Sequence, residues 1–480
     1  MERQNNRGDR DEVAVPGLAL QRQIGLWSAV SMVAGCMIGS GIFMSPQGVL
    51  VYMGSPGASL VVWAVCGLLA MLGALCYAEL GALFPEAGGE YAYILRTFGS
   101  LPAFMAIYLF ELMRKPAGVA AVSLSLAEYA LASFYPGCLS VPKALVKSVA
   151  ASCILGLMLV NLWSTRLATM LTNVCLAAKL FSLLVIVGGG AVVLGQGQSH
   201  PEAFQFAFHN TTHQLGCVGM AFYQGLWSFD GWSSIHNVLE ELKNPKKNLI
   251  RALTIAIPLV TILYILVNIS YLLVLSPREI LSSEAIAVSW GNQVLGSWAW
   301  MIPVAATLSA LGSANVVLFS GSRVCYAAAR EGHMPQLLSM VHVSHLTPAP
   351  ALIFSAALAL VLVNPGDFRT IVNLSSSLSW LTYGLTISCL LYLRMKTKNL
   401  PRTYKVPTFI PAFMILVALY LVLAPIVDHP QLEFLYIFLF LISGFLAYFL
   451  FVYFQYQPRC LQLATLHLQL LLQVAPTTKH

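Results

Sequence analysis

Long apolar stretches recur along the whole chain, and this feature limits the possible folds more than any other. A helix needs about 20 mainly apolar residues to cross the roughly 30 Å hydrocarbon core of a bilayer. With 58% hydrophobic and 9% charged residues, the chain is too apolar for a water-soluble globular protein. We predict an all-α membrane protein with twelve transmembrane helices. The predicted spans are 24–50, 57–82, 101–132, 144–163, 167–195, 214–238, 252–275, 292–322, 350–363, 370–393, 407–426 and 432–455.

The basic residues predict which side of the membrane each loop faces. Of the 26 Lys and Arg residues, nineteen fall on one side of a twelve-span topology and four on the other. The remaining three, Arg114, Lys115 and Lys179, lie within spans. Because cytoplasmic loops carry the excess of Lys and Arg, both termini are predicted to be cytoplasmic. The net charge of +7 then reflects topology, and we expect no nucleic-acid partner.

One cysteine stands apart from the other nine. Cys138, in "FYPGCLSVPK", lies in a short loop on the predicted outer side, whereas the others lie in or next to apolar spans. Disulfides persist outside the cell. The chain offers no second exposed extracellular cysteine, so an intermolecular disulfide is predicted at Cys138. The alternative is a free or lipid-buried thiol.

Two glycine-interrupted apolar helices divide the chain into repeats. The first break is "MIGSGIFMSP" at 37–46, and the second is "YQGLWSFDGW" at 223–232. Each opens a block of five spans, and an odd number of spans gives the two blocks opposite orientations. We therefore predict a 5+5 inverted repeat. The predicted units are a cytoplasmic tail (1–23), the two repeats (24–196 and 197–395), helices 11 and 12 (396–456), and a cytoplasmic C-terminal tail (457–480).

The C-terminal tail "RCLQLATLHLQLLLQVAPTTKH" carries leucines at helical spacing. This pattern predicts a short amphipathic helix on the cytoplasmic face of the membrane. Periodicity alone equally fits a frayed extension of helix 12.

Breaking a membrane helix frees backbone N–H and C=O groups that hydrocarbon cannot satisfy. At Gly39–Ser40–Gly41, the second half-helix would present free amides and a positive dipole end to a carboxylate. Between Gly225 and Gly231, freed carbonyls would accept an ammonium group. The two breaks together predict a socket for the charged ends of a free α-amino acid. For the first break alone, a notch for close helix packing is the alternative.

Ionisable residues within the spans are costly and need partners. For Asp230, we consider a counter-charge to a basic side chain or proton, or an ion pair with a buried cation of the bundle. For Lys179, near mid-span, we expect contacts with freed carbonyls at the first break and with hydroxyls such as that of Ser313. Glu111 and Arg114, spaced i and i+3, are predicted to pair with each other. The alternative places Arg114 or Lys115 on the permeation path.

No pattern typical of catalysis is present. The chain lacks a P-loop, an HExxH sequence, a CxxC pair and a nucleophile elbow, and its histidines do not cluster at metal-ligand spacing. We predict that the protein is not an enzyme and uses no cofactor or metal.

Numerous ordered motifs resemble those of the light subunits of heteromeric amino-acid transporters. They are "GSGIF", "LCYAELG", "GGEYAYI", "FYPGC", "LAAKL", "GLWSFDGW", "AREGHMP" and "LTPAPA". "WSFDGW", "REGHMP" and the tail most resemble the cystine and dibasic branch and the related aromatic-preferring transporter. The resemblance implies a LeuT-like fold in the plasma membrane and sodium-independent obligatory exchange. Neutral amino acids, including aromatic ones, are the implied substrates, with dibasic amino acids and cystine as further ones.

The resemblance also implies partners and site residues. The partner would be a single-span glycoprotein heavy chain, rBAT or else the 4F2 heavy chain, linked through Cys138. Lys179, with Ser313, would stand in for a sodium ion, and Trp227 would gate the site. Proton-coupled or facilitated transport, and a non-transporting subunit that stabilises the heavy chain, remain alternatives. The implied substrate contacts are Ile38, Gly39, Ser40, Gly41, Trp227, Ser228, Phe229 and Asp230.

The sequence departs from the motif pattern of this family near the expected site. Cys36 stands where threonine is expected, and Ser233 where asparagine is usual. Glu111 and Arg114 place charges in a stretch of helix 3 that is expected to be apolar. These changes leave the side-chain specificity open.

Overall fold

A computed structural model gives the fold of most of the chain. The described residues are 25–85, 88–132, 134, 142–197, 202–283, 285–345, 347–364, 368–397, 402, 404–428, 432–455 and 459–476. Cys138 lies outside the described residues, so its predicted disulfide stays a prediction.

The described part of the chain is almost entirely helical. The α-helices of the first predicted repeat are α1 (Leu26–Met37), α2 (Gly41–Met53), α3 (Pro56–Leu83), α4 (Gly89–Phe98), α5 (Ser100–Leu109), α6 (Lys115–Ala132), α7 (Lys143–Trp163) and α8 (Thr165–Gly195). Those that follow are α9 (Glu202–Gln205), α10 (Leu215–Phe229), α11 (Pro245–Val274), α12 (Pro277–Ser282), α13 (Ile286–Val294), α14 (Met301–Arg330), α15 (Ala349–Val363), α16 (Phe368–Lys396), α17 (Phe409–Asp428), α18 (Leu432–Ala447) and α19 (Arg459–Leu472). Further helical turns are of the 3₁₀ type (Trp232–Glu241, Gly296–Trp298, Gln336–Ser339) or the π type (Phe110–Arg114, Tyr448–Tyr453).

Several of these helices are long and apolar enough to cross a membrane. By length and composition there are seven among the described residues, or eight when α1 and α2 are counted as one bent span. The protein is therefore a multi-pass, mostly α-helical membrane protein. The other predicted crossings fall on shorter or divided helices, and the count of twelve stays a prediction.

The span predicted at 292–322 is displaced in the structure. The α-helix there begins at Met301 and continues to Arg330. Gly296 interrupts the preceding segment, because its φ of +52° lies in the left-handed region, which a continuing α-helix cannot adopt.

The first predicted helix break is present, and the second is narrower than predicted, because the helix continues through Gly225 and is interrupted only at residues 230–231. The chain bends by 48° between α1 and α2, across residues 38–40. In the second half, α10 ends at Phe229, and the chain resumes as the 3₁₀ helix Trp232–Glu241. Helix α10 packs against α2 and α3, and α1 packs against both α11 and the 3₁₀ helix. The two breaks therefore lie side by side in the centre of the helix bundle.

The C-terminal segment forms a separate helix, α19, followed by a strand. Strand β2 (Val474–Pro476) pairs antiparallel with β1 (Met340–His342), which follows α14. Several leucines on α19 are exposed, and they include Leu463, Leu466, Leu470 and Leu471. The helix is therefore separate from helix 12, and its predicted location on the cytoplasmic face of the membrane stays a prediction.

Candidate functional site

The first break exposes the amides of a helix N-terminus. Ile38 is extended, and its N–H still donates to Ala34 O at 2.8 Å. Helix α2 begins at Gly41, and the preceding Ser40 provides no side-chain cap. Because the first N–H groups of a helix have no acceptor within it, the amides at the start of α2 are available to an anion.

The second break depends on a glycine. The N–H of Asp230 donates to Trp227 O at 3.2 Å, which closes the last turn of α10. Gly231 follows with a φ of +110°, a conformation that side chains strongly disfavour. The carbonyls at the end of α10 lose their helical partners at this point.

The two breaks approach each other so closely that only glycine fits at the contacts. A Cβ atom on Gly41 would lie 2.7 Å from Ser228 Cα, and one on Gly231 would lie 2.9 Å from Cys36 O. A Cβ on Gly39 would lie 3.0 Å from Ser313 Oγ. Gly41 and Gly231 thus bring the backbones of the two interrupted helices into direct contact, and Gly39 allows the close approach of Ser313 on α14.

Tyr264 on α11 connects both breaks, and the sequence did not predict this role. Its hydroxyl lies 2.8 Å from Met37 O and 3.0 Å from Ser228 O, so it can donate to either carbonyl. Its ring packs edge-on against Phe229, at 5.1 Å between centroids. The one available signal was the need of a tyrosine in an apolar helix for a hydroxyl partner.

A cavity of about 120 Å³ opens beside the breaks. One water needs roughly 10–15 Å³ on this measure, so the cavity has room for a ligand much larger than water. Gly39, Ser40, Gly41, Trp227 and Asp230 line it. The hydroxyl of Ser40 is buried and has no hydrogen-bond partner among the described residues. Ser40 therefore contributes an unpartnered polar group to the wall of the cavity.

Three predicted contact residues do not line the cavity. Ile38 and Ser228 are buried, and the Phe229 side chain packs against Trp63 and Tyr264. Their backbone groups still belong to the two breaks. Phe229 thus has the packing environment that is common for aromatic residues in membrane helices.

Lys179 lies where the first break meets α14. Its side chain is 2% exposed, and Nζ donates to Ser313 Oγ at 2.9 Å and to Gly35 O at 3.2 Å. The Ser313 hydroxyl in turn donates to Ser309 O at 3.1 Å, so its lone pairs face the ammonium group. A fixed positive charge thus links α8, α1 and α14.

The predicted pair between Glu111 and Arg114 is wrong. These residues lie in the π-helical turn Phe110–Arg114, whose wider winding places residues three apart on different faces. Arg114 instead reaches Glu90 Oε2 at 3.3 Å and Asp230 Oδ1 at 3.4 Å. Both carboxylate oxygens of Glu111 are buried without a hydrogen-bond partner in the described part of the chain.

Asp230 has the buried cationic partner that was one of its two predicted environments. Besides Arg114, the hydroxyl of Tyr383 on α16 donates to Asp230 Oδ1 at 2.6 Å. The Asp230 side chain is 35% exposed, and it faces the cavity that Arg114 and Glu90 also line. The sequence did not indicate that Glu90 or Tyr383 would join this cluster.

Comparison with known proteins identifies the family. The family model described as amino acid permease matches residues 24–452. The chain belongs to the amino acid permease family. It is 44% identical to the b(0,+)-type amino acid transporter 1 of Mus musculus over 463 residues, which cover 96% of this chain and 94% of the relative. It is 43% identical to the Homo sapiens protein of the same description over 460 residues, which cover 95% of this chain and 94% of the relative.

A second group of relatives extends the comparison. The permease is 39% identical to the large neutral amino acids transporter small subunit 2 of Mus musculus over 445 residues, which cover 92% of this chain and 83% of the relative. The resemblance to transporter light subunits is thus confirmed over most of the chain. The permease is an amino-acid transporter and not an enzyme, as predicted. The described residues contain no cluster of three or more metal-ligating side chains.

Proposed function

We propose that the permease is the light subunit of a heteromeric, sodium-independent L-amino-acid exchanger. The observation that carries this proposal is the contact between the two helix breaks beside a cavity with an unpartnered hydroxyl, that of Ser40. This arrangement supplies amide donors, carbonyl acceptors and a hydroxyl within one small space. These groups match the carboxylate and ammonium groups of a free amino acid.

The amides at Gly39, Ser40 and Gly41 would hold the substrate carboxylate, helped by the positive end of α2. The Ile38 carbonyl and those from Trp227 to Phe229 would accept from its amino group. Charge-assisted hydrogen bonds of this kind contribute roughly 1.5–3 kcal/mol each. These contacts involve only the carboxylate and amino groups of the substrate, which all α-amino acids have in common. The half-buried Trp227 would close over the bound substrate, and rocking of one helix set would alternate access.

Lys179 supports independence from sodium. Its ammonium group is held by Ser313 Oγ and Gly35 O, a backbone carbonyl next to the first break. A tethered cation in this place would make a bound sodium ion unnecessary. Replacing sodium by choline in the uptake buffer should therefore leave uptake unchanged, and dependence on sodium would contradict this role.

The finer architecture belongs to the same proposal. The two breaks fall at corresponding positions of the predicted repeats 24–196 and 197–395, which supports a LeuT-like 5+5 arrangement. Helices 11 and 12 would complete twelve spans in the plasma membrane, with both termini cytoplasmic. The small-subunit description of one relative supports a heavy-chain partner. We propose rBAT, with the 4F2 heavy chain as the second candidate, linked through Cys138.

Trans-stimulation tests the exchange mechanism. In vesicles that contain the permease and its heavy chain, release of preloaded leucine should require an external amino acid. Release without external substrate, or release driven by a pH gradient, would instead indicate facilitated or proton-coupled transport. Absence of all uptake in competent vesicles would indicate a non-transporting subunit.

Two serines, Ser40 just before α2 and Ser45 within it, provide a matched test of the site. Ser40 and Ser45 are both buried, and neither hydroxyl has a hydrogen-bond partner among the described residues. Ser40 lines the cavity, whereas Ser45 is not part of its lining. Ser40→Ala should raise the KM for leucine several-fold, and Ser45→Ala should not. Equal effects of the two substitutions would contradict the proposed location of the site.

The heavy-chain link needs its own experiment. The permease should co-migrate with rBAT on a non-reducing gel, and Cys138→Ser should abolish this band. A band that persists in the Cys138→Ser variant would place the disulfide elsewhere.

A further inference from the structure

The guanidinium group of Arg114 forms an ion pair with Asp230, the carboxylate that would otherwise attract a basic substrate. We propose that Arg114 is a specificity-determining residue that makes the permease select neutral over dibasic amino acids. Its side chain takes the place that the cationic side chain of a dibasic substrate would occupy. This inference rests on the proposed function and specifies its substrate class. It narrows the substrate range implied by the sequence resemblance, which includes dibasic amino acids. A counter-charge for their side chains was one of the two roles considered for Asp230.

The guanidinium group is held from several directions. Its nitrogens reach Glu90 Oε2 at 3.3 Å, Asp230 Oδ1 at 3.4 Å and Tyr383 OH at 2.7 Å. The rings of Phe110 and Tyr383 lie 5.3 Å and 5.0 Å from its central carbon. The side chain is 6% exposed, although the residue lines the cavity. Arg114 is therefore a fixed part of the cavity wall.

The formal charges along this part of the wall cancel. Glu90 and Asp230 contribute two negative charges, and Arg114 and Lys115 contribute two positive charges. Lys115 adds its charge close by, with Nζ 4.9 Å from the centre of the Phe110 ring. A cationic substrate side chain therefore meets no excess of negative charge. A neutral side chain meets no uncompensated charge that it would have to desolvate.

Arg114 and the cationic side chain of a dibasic substrate would compete for Asp230, and this competition favours Arg114. A substrate guanidinium or ammonium group would have to displace Arg114 or share the carboxylate with it. Arg114 loses no translational freedom on binding and acts at a high effective concentration. Displacing it would leave a buried cation with fewer partners, which is unfavourable. Dibasic substrates therefore lose affinity relative to neutral ones.

The test compares arginine and leucine uptake by the permease reconstituted with its heavy chain. In the wild type, leucine should enter by exchange, and arginine should compete weakly. Arg114→Met removes the charge and keeps an unbranched side chain. This substitution should raise the ratio of arginine to leucine uptake about tenfold or more, since one charge-assisted hydrogen bond has this magnitude. Arg114→Lys, which keeps a cation, should raise it much less.

A double variant tests the mechanism itself. If the gain in Arg114→Met depends on the freed carboxylate, adding Asp230→Asn should return the ratio toward that of the wild type. Persistence of the gain in the double variant would refute the charge mechanism. Arg114→Gln, which keeps donors for Tyr383, provides a second neutral variant if Arg114→Met does not fold.

The outcomes separate the two proposals. Absence of leucine exchange in the wild type would refute the proposed function. Leucine exchange together with comparable arginine uptake in the wild type would refute the role of Arg114 alone. An unchanged uptake ratio in folded Arg114→Met or Arg114→Gln would refute that role as well.

Discussion

Replacing Tyr264 by phenylalanine removes a single hydroxyl from the contact between the two helix breaks. The hydroxyl has one proton, and its two acceptors, Met37 O and Ser228 O, lie at 2.8 and 3.0 Å. One buried hydrogen bond contributes about 0.5–1.5 kcal/mol, and leaving a buried acceptor unsatisfied costs about 1–3 kcal/mol. Side-chain hydrogen bonds within a membrane protein average roughly 0.6 kcal/mol. We therefore expect Tyr264→Phe to cost about 1–2 kcal/mol.

This loss should appear in substrate affinity. The hydroxyl stabilises the arrangement in which the two breaks meet, and only this arrangement forms the proposed socket. Apparent affinity falls with the population of the binding-competent state. A loss of about 1–2 kcal/mol corresponds to a roughly 5- to 30-fold higher KM for leucine. The assay is concentration-dependent leucine exchange in vesicles, corrected for the amount of reconstituted protein.

Tyr271 on the same helix provides the matched control. It is also buried, and its hydroxyl has no hydrogen-bond partner within the described ranges. Tyr271→Phe should therefore leave the KM unchanged. An equal KM increase in both variants would show that the effect comes from general loosening of α11. An unchanged KM in Tyr264→Phe would refute the role of the hydroxyl at the breaks.

Three further predictions concern other parts of the structure. Gly231→Ala should abolish exchange, because a φ of +110° and the nearby Cys36 O exclude a Cβ; normal uptake would contradict the close approach. Lys179→Met should lower leucine exchange at least about tenfold, since it removes a charge-assisted bond to Ser313; exchange at the wild-type rate would contradict this. Burial lowers the pKa of His333, in the loop after α14, so the folded protein favours its neutral form. Stability should therefore fall as pH drops from about 7.5 to about 5.5, and His333→Gln should reduce this loss in a thermal-unfolding assay; an unchanged pH dependence would contradict it.

Local sequence was sufficient to locate the features that depend on local backbone chemistry. The break at residues 38–40 follows from two glycines in an apolar run. The glycines at 225 and 231 indicated a second break, and the structure places it at Gly231, while the helix continues through Gly225. Lys179 required acceptors because of its depth in a span, and Ser313 was among those expected. These inferences use only the cost of unsatisfied polar groups in hydrocarbon, which applies before any packing is known.

The interactions among the residues of the cavity wall could be identified only from the tertiary structure. Arg114 is 116 residues from Asp230 in the chain, and Tyr383 is 153 residues from it. The wrong pairing of Glu111 with Arg114 came from assuming a regular α-helix where the chain forms a π turn. The apolar pattern determined that the chain spans a membrane and where two of its helices break. Which buried charges neutralise one another was decided only by packing, because an ion pair depends on distance in space and not on separation along the chain.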